Sequence, residues 1–383
     1  MENNSKEKTE NGSSISVLKR RVIITAACFF AVLVLLIGVM VGVFFALKTS
    51  GRLSIEERRK NELTAMPDYV YDPNTVSYNG KKYKYNENVT TFLFMGIDTG
   101  RLDETAWQRA KALAKQTGKS VEQMYQRVLQ IYEELELHEP KVGHSDVLLL
   151  VVLDETKKHA SIISIDRNSM SYFEAYDDAG NPIGSSEGQL ALSYSYGDGA
   201  HESCKMTARA VSDFLYEIPI HAYYSMKYKA IKELNDAVGG VKVTISTDMT
   251  EVNEAFIKGE TVTLDGEMAA MYLSARRDVG DGSNESRLER QKQYIFSFIE
   301  TAISAIKKDW GLPADLYERL AGNSCTDLSA DEVVYLASLA PGLDISYHSI
   351  KGTTDTDGAF AEFRPDEDAL WQLILDIFYI CED

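Results

Sequence analysis

The stretch Val89-Thr-Thr-Phe-Leu-Phe-Met-Gly-Ile97, closed by Asp98, decides the fold class. It is uncharged, rich in β-branched and aromatic residues, and reads as a strand buried in a sheet. Val147–Leu153 and Ala160–Ile165 read the same way on either side of an Asp-Glu-Thr-Lys-Lys turn. Downstream, extended runs at Ala222–Met226, Val241–Ile245 and Ser346–Ile350 are interleaved with helical patterns. The helices are expected at Met206–Tyr216, Tyr228–Val238, Glu267–Leu273, Arg287–Lys307, Leu316–Leu320, Ala330–Leu339 and Asp366–Tyr379. Helices alternating with strands imply one α/β domain over residues 89–383.

Upstream, Val22–Leu47 carries no charged residue, and about 20 such residues suffice to cross a bilayer as a helix. The run is too long for a signal peptide's apolar core and lacks a strong cleavage site, so it reads as a retained anchor. Residues 1–21 then form a polar tail and residues 48–88, with Pro67 and Pro73, a stalk. Lys19, Arg20 and Arg21 before the span are nearly balanced by Lys48, Arg52, Arg58, Arg59 and Lys60 after it, so charge alone favours a cytoplasmic N-terminus only modestly. The chain's net charge of −18 excludes nucleic acid as a main partner, which would need a basic face. Cys28, Cys204, Cys325 and Cys381 show no zinc spacing.

Within this acidic chain, Tyr272–Gln291 gathers Arg276, Arg277, Arg287, Arg290 and Gln291 around a Gly/Asp/Ser/Asn loop. The i, i+3, i+4 spacing of Arg287, Arg290 and Gln291 puts them on one helical face, where guanidinium forks suit phosphate oxygens. The same run also reads as a solvated helix paired internally through Asp278, Glu285 and Glu289. Asp98 ends one strand, Asp146 begins another and Arg167 follows a third, and strand ends are where α/β sheets display chemistry. Two neighbouring carboxylates call for a cation, and with oxygen ligands alone that is Mg2+ or Mn2+. Between them, residues 104–140 hold a helical pair, with Ser120 and Gln123 as a capping box. This insertion is either packed on the body or a lid or partner-docking face.

The chain resembles the LytR-CpsA-Psr family of bacterial cell-envelope proteins. The resemblance rests on Phe-Leu-Phe-Met-Gly-Ile-Asp98, Ser-Asp146-Val-Leu-Leu-Leu, Ile-Ile-Ser-Ile-Asp-Arg167, Leu-Ser-Tyr194-Ser-Tyr196-Gly-Asp-Gly, Leu-Asp265-Gly266-Glu-Met-Ala and Ser-Arg287-Leu-Glu-Arg290-Gln291. It implies a central mixed sheet flanked by helices around a hydrophobic polyprenyl cavity, behind one transmembrane helix with its N-terminus cytoplasmic. It implies Mg2+-assisted transfer of an anionic glycopolymer, such as teichoic acid or capsule, from an undecaprenyl-pyrophosphate carrier to peptidoglycan. By this resemblance Asp98 and Asp146 hold the metal, and Arg167, Arg276, Arg287 and Arg290, with Gln291 beside them, bind the pyrophosphate.

The chain departs from the family pattern at several of these places. His144 stands where arginine is usual, Asn168 where the Arg-Asp carboxylate is usual, and Gln189 where a lysine is often found. Ser274 replaces the first arginine of a pair, and Asn284 an aspartate. These losses thin the expected charge, so the competing expectation is a non-catalytic lipid- or partner-binding envelope module, with 104–140 as its docking face.

Overall fold

The computed structural model describes residues 42–61, 75–98, 142–176, 182–275, 284–355 and 361–382, with residues 110, 113–115, 117–120, 123–124, 127–128 and 131. β1 (Thr75–Tyr78) and β2 (Lys81–Tyr85) lead into β3 (Val89–Asp98), which pairs antiparallel with β4 (His144–Asp154). β5 (His159–Ile165) continues the sheet, and β6 (Met170–Tyr176) and β7 (Pro182–Gln189) make a hairpin beyond it. β8 (Ala222–Lys227) runs parallel to β3 on its other side, and β9 (Val241–Thr244) with β10 (Thr261–Leu264) forms a separate ribbon. β11 (Ser324–Thr326) and β12 (Asp344–Ser349) are the edges of the main sheet. β13 (Gly352–Asp355) pairs with β14 (Glu362–Pro365), and β15 (Tyr379–Glu382) returns to β2. The main sheet is therefore mixed, in the order β11-β8-β3-β4-β5-β12.

Period-two alternation sorts the side chains of β3. Leu93, Met95 and Ile97 are buried with Leu148, Leu150 and Ile163 under the helices His201–Phe214 and Glu367–Phe378. Phe92 and Phe94 face the opposite side and are only half-buried. There, Phe94 stacks on Tyr224 at 6.0 Å between ring centroids, beneath the helices Ala230–Ala237, Asn284–Lys308 and Leu312–Leu320. One face of the sheet is thus a tight core and the other is looser.

The described part of the expected stalk belongs to the body. Residues 42–61 are helical, and Ile55 is buried against Ala222, Leu328 and Tyr335. A Cβ at Gly51 would fall 2.1 Å from the Asp331 carbonyl oxygen, so only glycine lets this helix come so close. Arg58 is ion-paired to Asp327 at 2.8 Å and to Glu332 at 2.7 Å. Further on, β1 and β2 are sheet-paired to the last strand. Arg58 and its partners are some 270 residues apart, so this packing leaves no local signal. Residues 22–41 of the expected span lie outside the described residues; among the described residues no helix is long and apolar enough to cross a membrane. In the 104–140 insertion, Ala110, Ala114, Met124 and Val128 are buried, and Ser120 Oγ accepts the Gln123 N–H at 3.2 Å, one half of the expected capping box.

One buried titratable group gives the fold a pH signature. His221 is 3% exposed, and its Nδ1 accepts the Thr91 N–H at 3.1 Å. Burial, and then Arg59 and Arg58, push its pKa down from 6.5 to about 4. The unfolded chain takes up a proton here below pH 6.5 and the folded chain does not. This stability is therefore full above pH 6.5 and is lost as pH falls toward 4, by about 3 kcal/mol. His221→Asn should flatten the dependence of the urea midpoint on pH over that interval. An unchanged slope would mean that other groups carry it.

Candidate functional site

The site begins at an irregularity in the β3–β4 ladder. Asp98 pairs with His144 and Ile97 with Ser145, but Gly96 pairs with Val147, leaving Asp146 as the extra residue of a bulge. Asp146 was expected just before a strand; it is instead the third residue of β4. A bulge re-aims the side chains around it. Ser145 turns into the core, fully buried with its Oγ 3.4 Å from the Ala191 carbonyl, while Asp146 joins Val147 and Leu149 on the looser face. Asp98 stands exposed at the end of β3 beside His144, also exposed. A Cβ at Gly143 would be 2.5 Å from the Asp98 carbonyl oxygen, so this close junction also needs glycine.

Arg167 sits where the chain leaves β5. The turn is held by Asp166, whose Oδ1 accepts the Asn168 N–H at 2.8 Å, and by the Ala191 N–H donating to the Arg167 carbonyl at 3.0 Å. From there the guanidinium forms an ion pair with Asp146. Asn168 and Gln189, two of the departures from the family pattern, are bonded to each other. Gln189 Nε2 donates to Asn168 Oδ1 at 3.1 Å and to the Ala361 carbonyl at 2.6 Å. In this chain the two side chains thus form a matched neutral pair.

The long helix Asn284–Lys308 supplies the opposite wall, and it splits residues expected to act together. Gln291 lines a small recess with Asp146, Ser164, Arg167, Ile295 and Tyr347. Arg290 does not join them. It is 2% exposed, and its Nη2 donates to the carbonyl of Ala275, the cap of the helix Gly266–Ser274. Consecutive helical residues point about 100° apart, so Arg290 and Gln291 diverge. Burial lowers the Arg290 pKa, with Tyr272 nearby partly opposing it. Arg290 thus satisfies an orphan helix-end carbonyl and ties the end of the helix Gly266–Ser274 to the long helix. Arg276 and Arg277 lie outside the described residues; Arg287 is placed one turn before Gln291, but only its backbone is described. Ile295 and Tyr347 were missed, although Ile295 follows Gln291 at i+4.

Along the same helix, Gln291, Ile295, Phe298, Ala302 and Ile306 form one stripe. The first two line the recess, and the last three line an apolar cavity of about 230 Å3 with Tyr224, Leu316 and Leu320. From Gln291 to Ile306 the stripe is about 22 Å long at 1.5 Å per residue. A charged mouth and an apolar chamber therefore lie along one helix.

The family model described as LytR_cpsA_psr matches residues 54–374. The chain belongs to the LytR-CpsA-Psr family. Its relatives include the polyisoprenyl-teichoic acid–peptidoglycan teichoic acid transferase TagV of Bacillus subtilis (strain 168), 30% identical over 170 residues, or 43% of this chain and 40% of that protein. The corresponding TagU of Enterococcus faecalis (strain ATCC 700802 / V583) is 26% identical over 51% of this chain and 58% of its own length. This LytR-CpsA-Psr chain therefore matches well under two thirds of either relative. The structure of TagT bound to LIIa-WTA shares the fold, with a TM-score of 0.52 and 18% identity over 76% of this chain and 89% of TagT.

Proposed function

We propose that this chain transfers an anionic glycopolymer from a polyprenyl-pyrophosphate carrier to peptidoglycan, held at the membrane by residues 22–47 with the body outside the cell. The observation that carries this reading is the bulge that turns Asp146 toward Arg167 and Gln291 at the head of an apolar stripe. TagV and TagU, by their names, act on polyisoprenyl-linked teichoic acid and peptidoglycan. The polar head and apolar length of the site suit a lipid-linked phosphate.

Asp98 and Asp146 would hold a Mg2+ ion. Their fit is chemical: magnesium takes one or two carboxylates and completes its shell with substrate phosphates and water. Among the described residues no group of three or more acidic, histidine or cysteine side chains could cage it alone. When bound, such an ion neutralises charge on the phosphates. Arg167, paired with Asp146 in the free protein, turns its fork to the pyrophosphate oxygens. Gln291 donates its amide from the facing wall. Val147, Leu149 and Ile295 give this charged recess apolar walls, which strengthens those contacts. The acceptor hydroxyl forms the new P–O bond, the bond to polyprenyl phosphate breaks, and the hydroxyl proton leaves to solvent.

The chamber can be tested apart from the chemistry. Ala302→Phe would fill part of the 230 Å3 cavity. The variant should keep or raise its thermal stability, because a void is filled, yet lose co-purifying polyprenyl phosphate in native mass spectrometry. Undiminished lipid in a well-folded variant would move the lipid elsewhere.

A further inference from the structure

We propose that the corner between the helices Asn284–Lys308 and Leu312–Leu320 is a membrane seat: Trp310, Lys307 and Lys308, with Phe44 and Phe45 of the incoming helix, rest in the headgroup layer of an anionic bilayer. The proposal rests on the reading of Val22–Leu47 as a membrane span and goes beyond it by assigning the surface with which the body meets the lipid. Phe44 belongs to the last turn of that uncharged run, one turn before Lys48. In the structure, its ring meets Trp310 edge-on at 5.5 Å between centroids. A residue of the body is therefore level with the end of the span.

The surface chemistry suits that depth. Val43 is 54% exposed, Phe45 60% and Trp310 43%, apolar and aromatic surface that none of the described residues covers. Tryptophan concentrates at membrane interfaces, where its ring is buried and its N–H stays wet. Lys307 and Lys308, both exposed in the last helical turn, place two cations beside it in a chain of net charge −18. Such lysines are drawn to anionic headgroups. Asp309 follows them with one negative charge, so Lys307–Asp309 keeps a net charge of +1.

The geometry is also fixed. Gly51 against Asp331, buried Ile55 and the Arg58 ion pairs clamp helix 42–61 to the body, so Phe44 and Phe45 hold a fixed position relative to Trp310. Ile306 on one side of Trp310 and Leu312, Pro313 and Leu316 on the other line the apolar cavity. Seating the corner brings that cavity to the bilayer surface, so a prenyl chain can pass into it without crossing water.

The test uses the full chain carrying Trp107→Phe and Trp371→Phe, reconstituted into bilayers of equal parts phosphatidylglycerol and phosphatidylcholine. The acyl chains are either plain or brominated near the headgroup. Trp310 emission should fall at least about twofold in the brominated bilayer, as for an interfacial tryptophan. Lys307→Glu with Lys308→Glu should reverse much of that quenching. A companion chain carrying Trp107→Phe and Trp310→Phe, which reports Trp371, should be unaffected. If Trp310 is unquenched, or quenched no more than Trp371, in a chain that survives an alkaline carbonate wash, the seat is refuted and the span stands. If the wash releases the chain, the span fails and the seat with it.

Discussion

Arg167→Ala should lower transfer by about two to three orders of magnitude, the usual cost of removing one preorganised donor from a reacting oxyanion. The reason is local. Arg167 is the one described cation lining the recess, and Asp146 faces it across an ion pair. Arg167→Lys should recover only part of the loss, because an ammonium lacks the planar fork. Both variants should keep a cooperative melt, since the pair is still 23% and 18% exposed and lies at the sheet's end rather than in its core. Steady-state rates with a polyprenyl-pyrophosphate donor, read beside thermal melts, separate the two effects. Equal rates for wild type and Arg167→Ala would remove Arg167 from the mechanism.

Arg58→Ala should cost about 3–5 kcal/mol, the range for stranding one partner of a buried ion pair. Glu332 is fully buried, and it accepts from Arg58 Nε at 2.7 Å, Ser54 Oγ at 2.6 Å and the Ser329 N–H at 2.8 Å. Burial pushes its carboxyl pKa up, but hydrogen bonds from Arg58 and Ser54 outweigh that and hold it below the usual glutamate value. Its contribution is thus present above the unfolded glutamate pKa and lost as pH falls through the lower folded value. Without Arg58 the carboxylate keeps its burial and loses its counter-charge. Arg58→Met combined with Glu332→Gln should recover a large part of the loss. Urea unfolding of the two variants checks this. A single-variant cost below about 1 kcal/mol would class the pair with surface bridges.

Much of the frame was legible because burial leaves a periodic signal. β3, β4 and β5 are where their apolar runs placed them, and the helices from His201 onward match their spacing. The hairpin β6–β7 was not legible, since Pro-Ile-Gly-Ser-Ser-Glu-Gly-Gln carries turn-like composition rather than alternation. The bulge at Asp146 left no trace either, because His-Ser-Asp reads alike in either register. The burial of Arg290 was not legible either: arginine is seldom fully buried, and the carbonyl to which it donates belongs to another helix. Asn168 and Gln189 read as two separate departures, and the hydrogen bond that joins them across 21 residues leaves no signal in the sequence.

The proposed function stands or falls with phosphoryl transfer from a lipid carrier at the Asp146 bulge. The most direct measurement follows polyprenyl monophosphate released by the full chain in nanodiscs, given a synthetic polyprenyl-pyrophosphate glycan and a peptidoglycan acceptor. Release should be Mg2+-dependent, stopped by chelation and reduced at least about 100-fold by Asp146→Asn. Release that is equally fast in wild type and Asp146→Asn, or a wild-type chain that holds the donor and never cleaves it, would contradict it.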